Sequence, residues 1–163
     1  MMNLIQAICD LIAEKKRAFI EYENHTQSIL SCELEEIESH VGRRQELVEQ
    51  VQEADRKLEE LCRNNPIDGS LMLQAIQNKC DRADLPPQQL CIFDAAQEVF
   101  SVINRILNIE TQASDRIHRE RDVLLQKIRE TNKGTPAQAA KYYSNAGMVG
   151  PDRTILHEKY NKA

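Results

Sequence analysis

Residues 34–62 read LEEIESHVGRRQELVEQVQEADRKLEELC. The stretch holds one glycine, Gly42, and no proline. Its apolar residues are Leu34, Ile37, Val41, Leu47, Val48, Val51, Ala54, Leu58 and Leu61. Within Leu34–Val41 and again within Val48–Leu61 the steps are threes and fours, which is one apolar face on an α-helix. The other positions are mostly charged, Arg43, Arg44, Asp55 and Lys57 among them, and the abundant glutamates read as a solvated face. Such a helix is marginal alone in water and requires partner helices against its apolar face.

The chain supplies two partners. Over Met2–Leu30, Ile5, Ile8, Ile12, Phe19, Tyr22, Thr26 and Ile29 follow a coiled-coil-like alternation, with Lys15 interrupting the seam. A break is expected at Ser31 or Cys32, with Ser31 able to cap the next helix. A hairpin of these two helices buries both faces within one molecule and needs only a short turn. Arg63–Ser70 reads as a turn, through Pro66 and Asp68-Gly69-Ser70. A short helix is expected over Leu71–Cys80 and a second break at Pro86-Pro87. Gln88–Glu130 is the longest helical pattern, with Phe93, Ala96, Phe100, Ile103, Leu107, Ile117, Leu124 and Ile128 on one stripe. Glu110, Ser114 and Arg121 fall on the same stripe, which points to solvent at a bundle end or to a bound partner. At ~1.5 Å per residue this helix is about 60 Å long, so part of its apolar surface should project beyond the hairpin.

The expected fold is therefore all-α. An antiparallel helical hairpin and a long third main helix form a coiled-coil-like bundle over residues 1–131, followed by an irregular tail. The tail, 132–163, differs in character. It carries Lys133, Lys141, Arg153, Lys159 and Lys162 against Asp152 and Glu158, a net of +3. With a total of −5, the rest of the chain carries −8. Three of the four tyrosines lie there, and tyrosine is enriched at interfaces, so the flexible basic tail reads as a recognition segment.

Several function classes find no support. An acidic chain lacks the basic patches that nucleic acid or anionic lipid requires. No apolar run is long enough for a membrane span, and Met1–Asp10 lacks the basic and apolar regions of a signal peptide. Cys9, Cys32, Cys62, Cys80 and Cys91 form no Cys-x-x-Cys pair, so reduced thiols in a cytoplasmic protein are expected. None of His25, His40, His118 and His157 follows a glutamate by three residues, as a di-iron bundle would need. These histidines read as polar side chains facing solvent, and neither a metal, a cofactor nor an enzyme activity is expected.

Two segments, LIAEKK at 11–16 and SCELEEIESHVGRRQEL at 31–47, combine a break, an acidic helix start and a charged continuation. With the long final helix and glycine-containing basic tail, this layout resembles the FlgN-type flagellar export chaperones. The tail element Tyr143-Ser144-Asn145-Ala146-Gly147 is similar to the family's Tyr-Gly-x-x-Gly-like element, with Ser144 where a glycine can occur. The resemblance implies a cytosolic chaperone that binds hook-associated (hook–filament junction) proteins. It would deliver them to the cytoplasmic domain of the type III export gate. It also implies that Tyr143, beside Tyr142 and four residues before Gly147, binds that gate. Client anchors are expected at Leu124, Leu125 and Ile128 on the distal helix, and at Ile155, Leu156 and Tyr160 in the tail. A monomer or homodimer is the expected state. The alternative is a self-assembling structural coiled-coil protein that uses the same heptads between molecules.

Overall fold

The structure, a computed structural model, describes residues 2–132. Helix α1 is Met2–Ser31, α2 is Ile37–Arg63, the short α3 is Gly69–Ile76 and α4 is Leu90–Asn132. Single 3-10 turns lie at Leu34–Glu36, Arg82–Asp84 and Pro87–Gln89. No strand occurs among the described residues, and the all-α hairpin with a long final helix is as expected. The tail that carries Tyr142, Tyr143, Gly147, Ile155, Leu156 and Tyr160 lies outside the described residues.

The break between α1 and α2 falls where the sequence places it, but Ser31 does not cap the second helix. Ser31 is the last residue of α1, and Glu33 and Glu36 precede the 3-10 turn and α2 without side-chain caps. The short helix begins and ends earlier than Leu71–Cys80. Asn78, at φ 60°, takes the left-handed conformation that ends it, and the Lys79 amide bonds back to the Gln74 carbonyl at 2.7 Å. Gly69 lets α3 sit directly on the end of α2, since a Cβ there would lie 1.8 Å from the Cys62 carbonyl oxygen.

Most buried positions of α1 and α4 fall in heptad rows, with Ala18, Val102 and Ser114 buried beside them. In α1 the two rows are Ile5, Ile12, Phe19, Thr26 and Ile8, Lys15, Tyr22, Ile29. In α4 they are Ile92, Val99, Ile106, Ala113 and Ala96, Ile103, Glu110, Ile117. The sequence stripe shares the second α4 row. It takes Phe93, Phe100 and Leu107 for the first, whereas these side chains are half-buried flanks of the core. The helix presents a face wide enough for α1 and α3 together, so the seam and its flank are both apolar and spacing alone does not separate them.

Helices α1 and α2 are antiparallel: Lys15 meets Asp55, Tyr22 meets Arg44 and His25 meets His40. Helices α1 and α4 are parallel. Cys9 meets Cys91, Lys16 meets Glu98 and Glu23 meets Arg105, each pair separated by 82 residues in the chain. The Cys9 and Cys91 sulfurs are 3.5 Å apart, and burial, followed by the Cys91 contact, pushes the Cys9 thiol up to about 12. A thiol so rarely ionised reacts slowly, since the thiolate is the reactive form. Copper-phenanthroline oxidation of the reduced protein is expected to give an intramolecular Cys9–Cys91 link, seen by peptide mapping and lost in Cys91→Ser. An α4 of opposite direction would give no such link.

Candidate functional site

The hairpin stops well before α4 does. Arg116 of α4 donates to the Ile29 carbonyl at 2.8 Å and to the Cys32 carbonyl at 2.6 Å, satisfying acceptors that the end of α1 leaves open. A small apolar cluster of Ile29, Ile37, Ala113 and Ile117, flanked by Leu30, Cys32 and Val41, closes the bundle at this level. Beyond it, residues 118–132 of α4 extend for about 22 Å at ~1.5 Å per residue.

This projecting segment holds three of the expected client anchors, in a different arrangement from the one the stripe implied. Leu124 is 40% exposed and its neighbour Val123 is 43% exposed. Ile128 is half-buried. Leu125, read as lying off the stripe, is 9% exposed and is therefore a buried residue. The heptad rows run out at Ile117, where the facing turn of the hairpin ends, and α4 no longer follows the same phase. Leu34, at the hairpin turn, is another large apolar side chain left exposed at this end.

Two charged layers cross the seams, and both were hidden in the sequence. Lys15 Nζ lies 2.6 Å from Asp55 Oδ1 with both side chains buried. Arg44, with no exposed surface, donates to Glu110 Oε1 at 2.7 Å and to the Tyr22 hydroxyl, and its guanidinium lies 4.5 Å from the centre of the Tyr22 ring. Arg44 and Asp55 therefore are not part of a solvated face, and Glu110 points neither to solvent nor to a free partner surface. Arg44 replaces a core residue in the row Ile37, Val51, Leu58, and Asp55 does so in the row Val48, Cys62.

No protein-family model, curated protein or solved structure matches the chain. The surfaces must therefore be read from their own chemistry. Between α1 and α2 runs an open groove of about 860 Å³, where Glu14, Glu21, Glu46, Glu49 and Glu53 outnumber Arg17 and Lys57. It is strongly acidic. On the projecting end of α4 no helix of the hairpin runs alongside, and Val123 and Leu124 are exposed there.

At the turn end His25 and His40 do not simply face solvent. His25 Nδ1 and His40 Nδ1 are 2.7 Å apart, and both rings are half-buried. Burial, and then the neighbouring His40, hold His25 below the ordinary imidazole range. Hydrogen bonds from Arg43 hold the Glu21 carboxyl below the usual range.

The Arg44 layer makes a quantitative expectation. Removing one partner of a buried ion pair costs about 3–5 kcal/mol, whereas replacing both by apolar groups is often near neutral. Glu110→Gln is expected to lower unfolding free energy by about that amount, measured by urea denaturation. The double variant Arg44→Met/Glu110→Leu is expected to recover most of the loss. A double variant as unstable as the sum of the single changes would show that the two residues do not act as a pair.

Proposed function

We propose that this protein is a type III export chaperone of the FlgN kind, which holds hook-associated proteins before export and passes them to the export gate. The observation that carries the reading is the projecting end of α4, with Val123 and Leu124 exposed beyond the hairpin. An amphipathic segment of an unassembled client can lay its apolar side along such a helix, gaining burial without covalent chemistry. The seams of α1, α2 and α4 are filled by one another within one chain, and Val123 and Leu124 are the one adjacent pair among the large apolar side chains left exposed in the described residues, Ile20, Leu34 and Ile67 standing singly. The sequence pairs an acidic stretch, residues 1–131 at −8, with a basic one, residues 132–163 at +3, which suits a chain that meets two different partners.

Client binding is expected to depend on the exposed pair rather than on Leu125. Purified junction protein, or a peptide from its terminal helix, is titrated calorimetrically against wild type and Val123→Asp/Leu124→Asp. The double variant is expected to bind at least about tenfold more weakly, with circular dichroism and thermal midpoint unchanged, since an apolar anchor contributes ~1.4 kcal/mol or more. Unchanged affinity would remove α4 from the client site. Light scattering of the free chain separates the alternative, because a structural coiled coil would form large assemblies that the same variant disperses.

Tyr143 is expected to serve the second partner. An aromatic ring on a tether can fill an apolar pocket while its hydroxyl keeps a hydrogen bond, and truncating such an anchor typically costs ~2 kcal/mol or more. Tyr143→Ala is expected to lose binding to the gate's cytoplasmic domain and to keep client binding and thermal stability. Tyr142→Ala, measured alongside, should lose less. A parallel loss of stability in Tyr143→Ala would instead mean that the ring packs on the bundle.

A further inference from the structure

Cys32, Glu36 and His40 recur at intervals of four residues, a Cys-x3-Glu-x3-His pattern outside the spacings of common zinc motifs. The hairpin turn gathers them. Cys32 leaves the end of α1, Glu36 closes the 3-10 turn and His40 lies in the first turn of α2. One ligand atom from each, a thiol sulfur, a carboxylate oxygen and a ring nitrogen, lie within 4.8 Å of one another. Donors around a tetrahedral zinc ion stand about 3.3–3.6 Å apart, given bond lengths of ~2.0–2.3 Å. The remaining approach is about 1 Å, within reach of a side-chain rotation by the exposed Glu36.

A second observation concerns how His40 is held. Its Nδ1 meets His25 Nδ1 at 2.7 Å, with the ring planes tilted by 54°, so the contact is a hydrogen bond between ring edges rather than a stack. In such a contact one ring nitrogen donates and the other accepts. His25 Nε2 lies 3.8 Å from Glu21 Oε1, and Arg43 grips both Glu21 oxygens at 3.0 and 3.1 Å. The series Arg43, Glu21, His25 thus reaches Nδ1 of His40, and Nε2 of His40 has no part in it. Metal-bound histidines show this arrangement, with the second nitrogen engaged by a neighbour that fixes the ring. Arg116 donates to the Cys32 carbonyl at 2.6 Å and, through Nη1, contacts the Cys32 sulfur at 4.0 Å, so it anchors to α4 both the backbone and the thiol that would bind the ion.

We propose that Cys32, Glu36 and His40 form a binding site for a zinc-class divalent cation at the hairpin turn, with His25 positioning His40. The mixture of one soft, one borderline and one hard donor suits Zn2+ better than Mg2+ or Ca2+, which take oxygen ligands. Three protein ligands leave a fourth position for water. A bound ion would staple the exit of α1 to the entry of α2, at the level where α4 begins to project. The inference is independent of the chaperone reading, since it rests on the turn and not on Val123 or Leu124.

The test uses the full-length protein, reduced and stripped of metal. Zn2+ is titrated in competition with a chromogenic chelator, and Co2+ is titrated separately as a spectroscopic substitute. One equivalent of each is expected to bind, with a thiolate-to-cobalt charge-transfer band in the near ultraviolet and a thermal midpoint raised by Zn2+. Cys32→Ser is expected to abolish the charge-transfer band. Glu36→Gln, at an exposed position outside the core, is expected to weaken Zn2+ at least about tenfold. His25→Gln should weaken Zn2+ by about 10–100-fold while the cobalt band persists, the signature of a positioning residue. Cys9→Ser/Cys91→Ser should bind as wild type. Binding lost in that pair variant and kept in Cys32→Ser would overturn the proposal, as would affinity unchanged in both Cys32→Ser and Glu36→Gln. Absence of stoichiometric binding by the wild type would do the same.

Discussion

Arg44 carries a positive charge to a place without exposure to water, between Tyr22 of α1 and Glu110 of α4. Burying an ion costs several kcal/mol even after relaxation, and a partner in good geometry is what makes it tolerable. Because the three residues come from three helices, the layer can be completed in one register alone. Sliding α4 by a heptad along α2 would bring Ile103 or Ile117 to the place of Glu110 and leave the guanidinium against hydrocarbon. Lys15 with Asp55 does the same for α1 and α2. Polar groups at seam positions of coiled coils are known to select register at a cost in stability, and the two layers here fit that role.

The parallel placement of α1 and α4 follows from the path of the chain. Helix α2 returns to the end where α1 starts, so α4 also starts there. The connection is then a compact cap, α3 and two 3-10 turns, rather than a crossover along the bundle. Surface pairs at the constant offset, Lys16 with Glu98 and Arg105 with Glu23, decorate the α1–α4 seam. Exposed pairs are worth roughly 0–1 kcal/mol each, so they favour the alignment without deciding it. The heptad rows of Ile, Val and Phe carry most of the burial. Beyond Ser31 neither hairpin helix accompanies α4.

Much of this was legible because apolar residues at threes and fours, and the prolines at 66, 86 and 87, mark helices and breaks without reference to tertiary contacts. The projection of α4 followed from comparing helix lengths. What stayed hidden were charges at seam positions. A template that counts apolar residues sees Lys15 as an interruption and Arg44 or Asp55 as ordinary surface, although each completes a heptad row. The opposite signs of Lys15 and Asp55, and of Arg44 and Glu110, were the available signal, but pairing them requires the register. Leu125 escaped because the phase of the burial changes once the hairpin ends. The Cys32, Glu36 and His40 set escaped because searches for Cys-x-x-Cys and Glu-x-x-His pass over a spacing of four, and because a helical break bends that spacing into a cluster.

The 82-residue offset has a consequence for how the molecule comes to be made. During synthesis α1 leaves the ribosome first, and α2 follows soon enough to cover one side of it. The rows of α4 that cover the other side are translated some 82 residues later. At about 5–20 residues per second, a stripe containing Ile5, Ile12 and Phe19 waits several seconds without its final cover. The nascent hairpin is thus a sticky intermediate, and its closing contacts are of long range, which slows folding relative to other helical proteins. Pulse-labelled hydrogen exchange during refolding would show this order directly, with amides of α1 and α2 protected before those of α4.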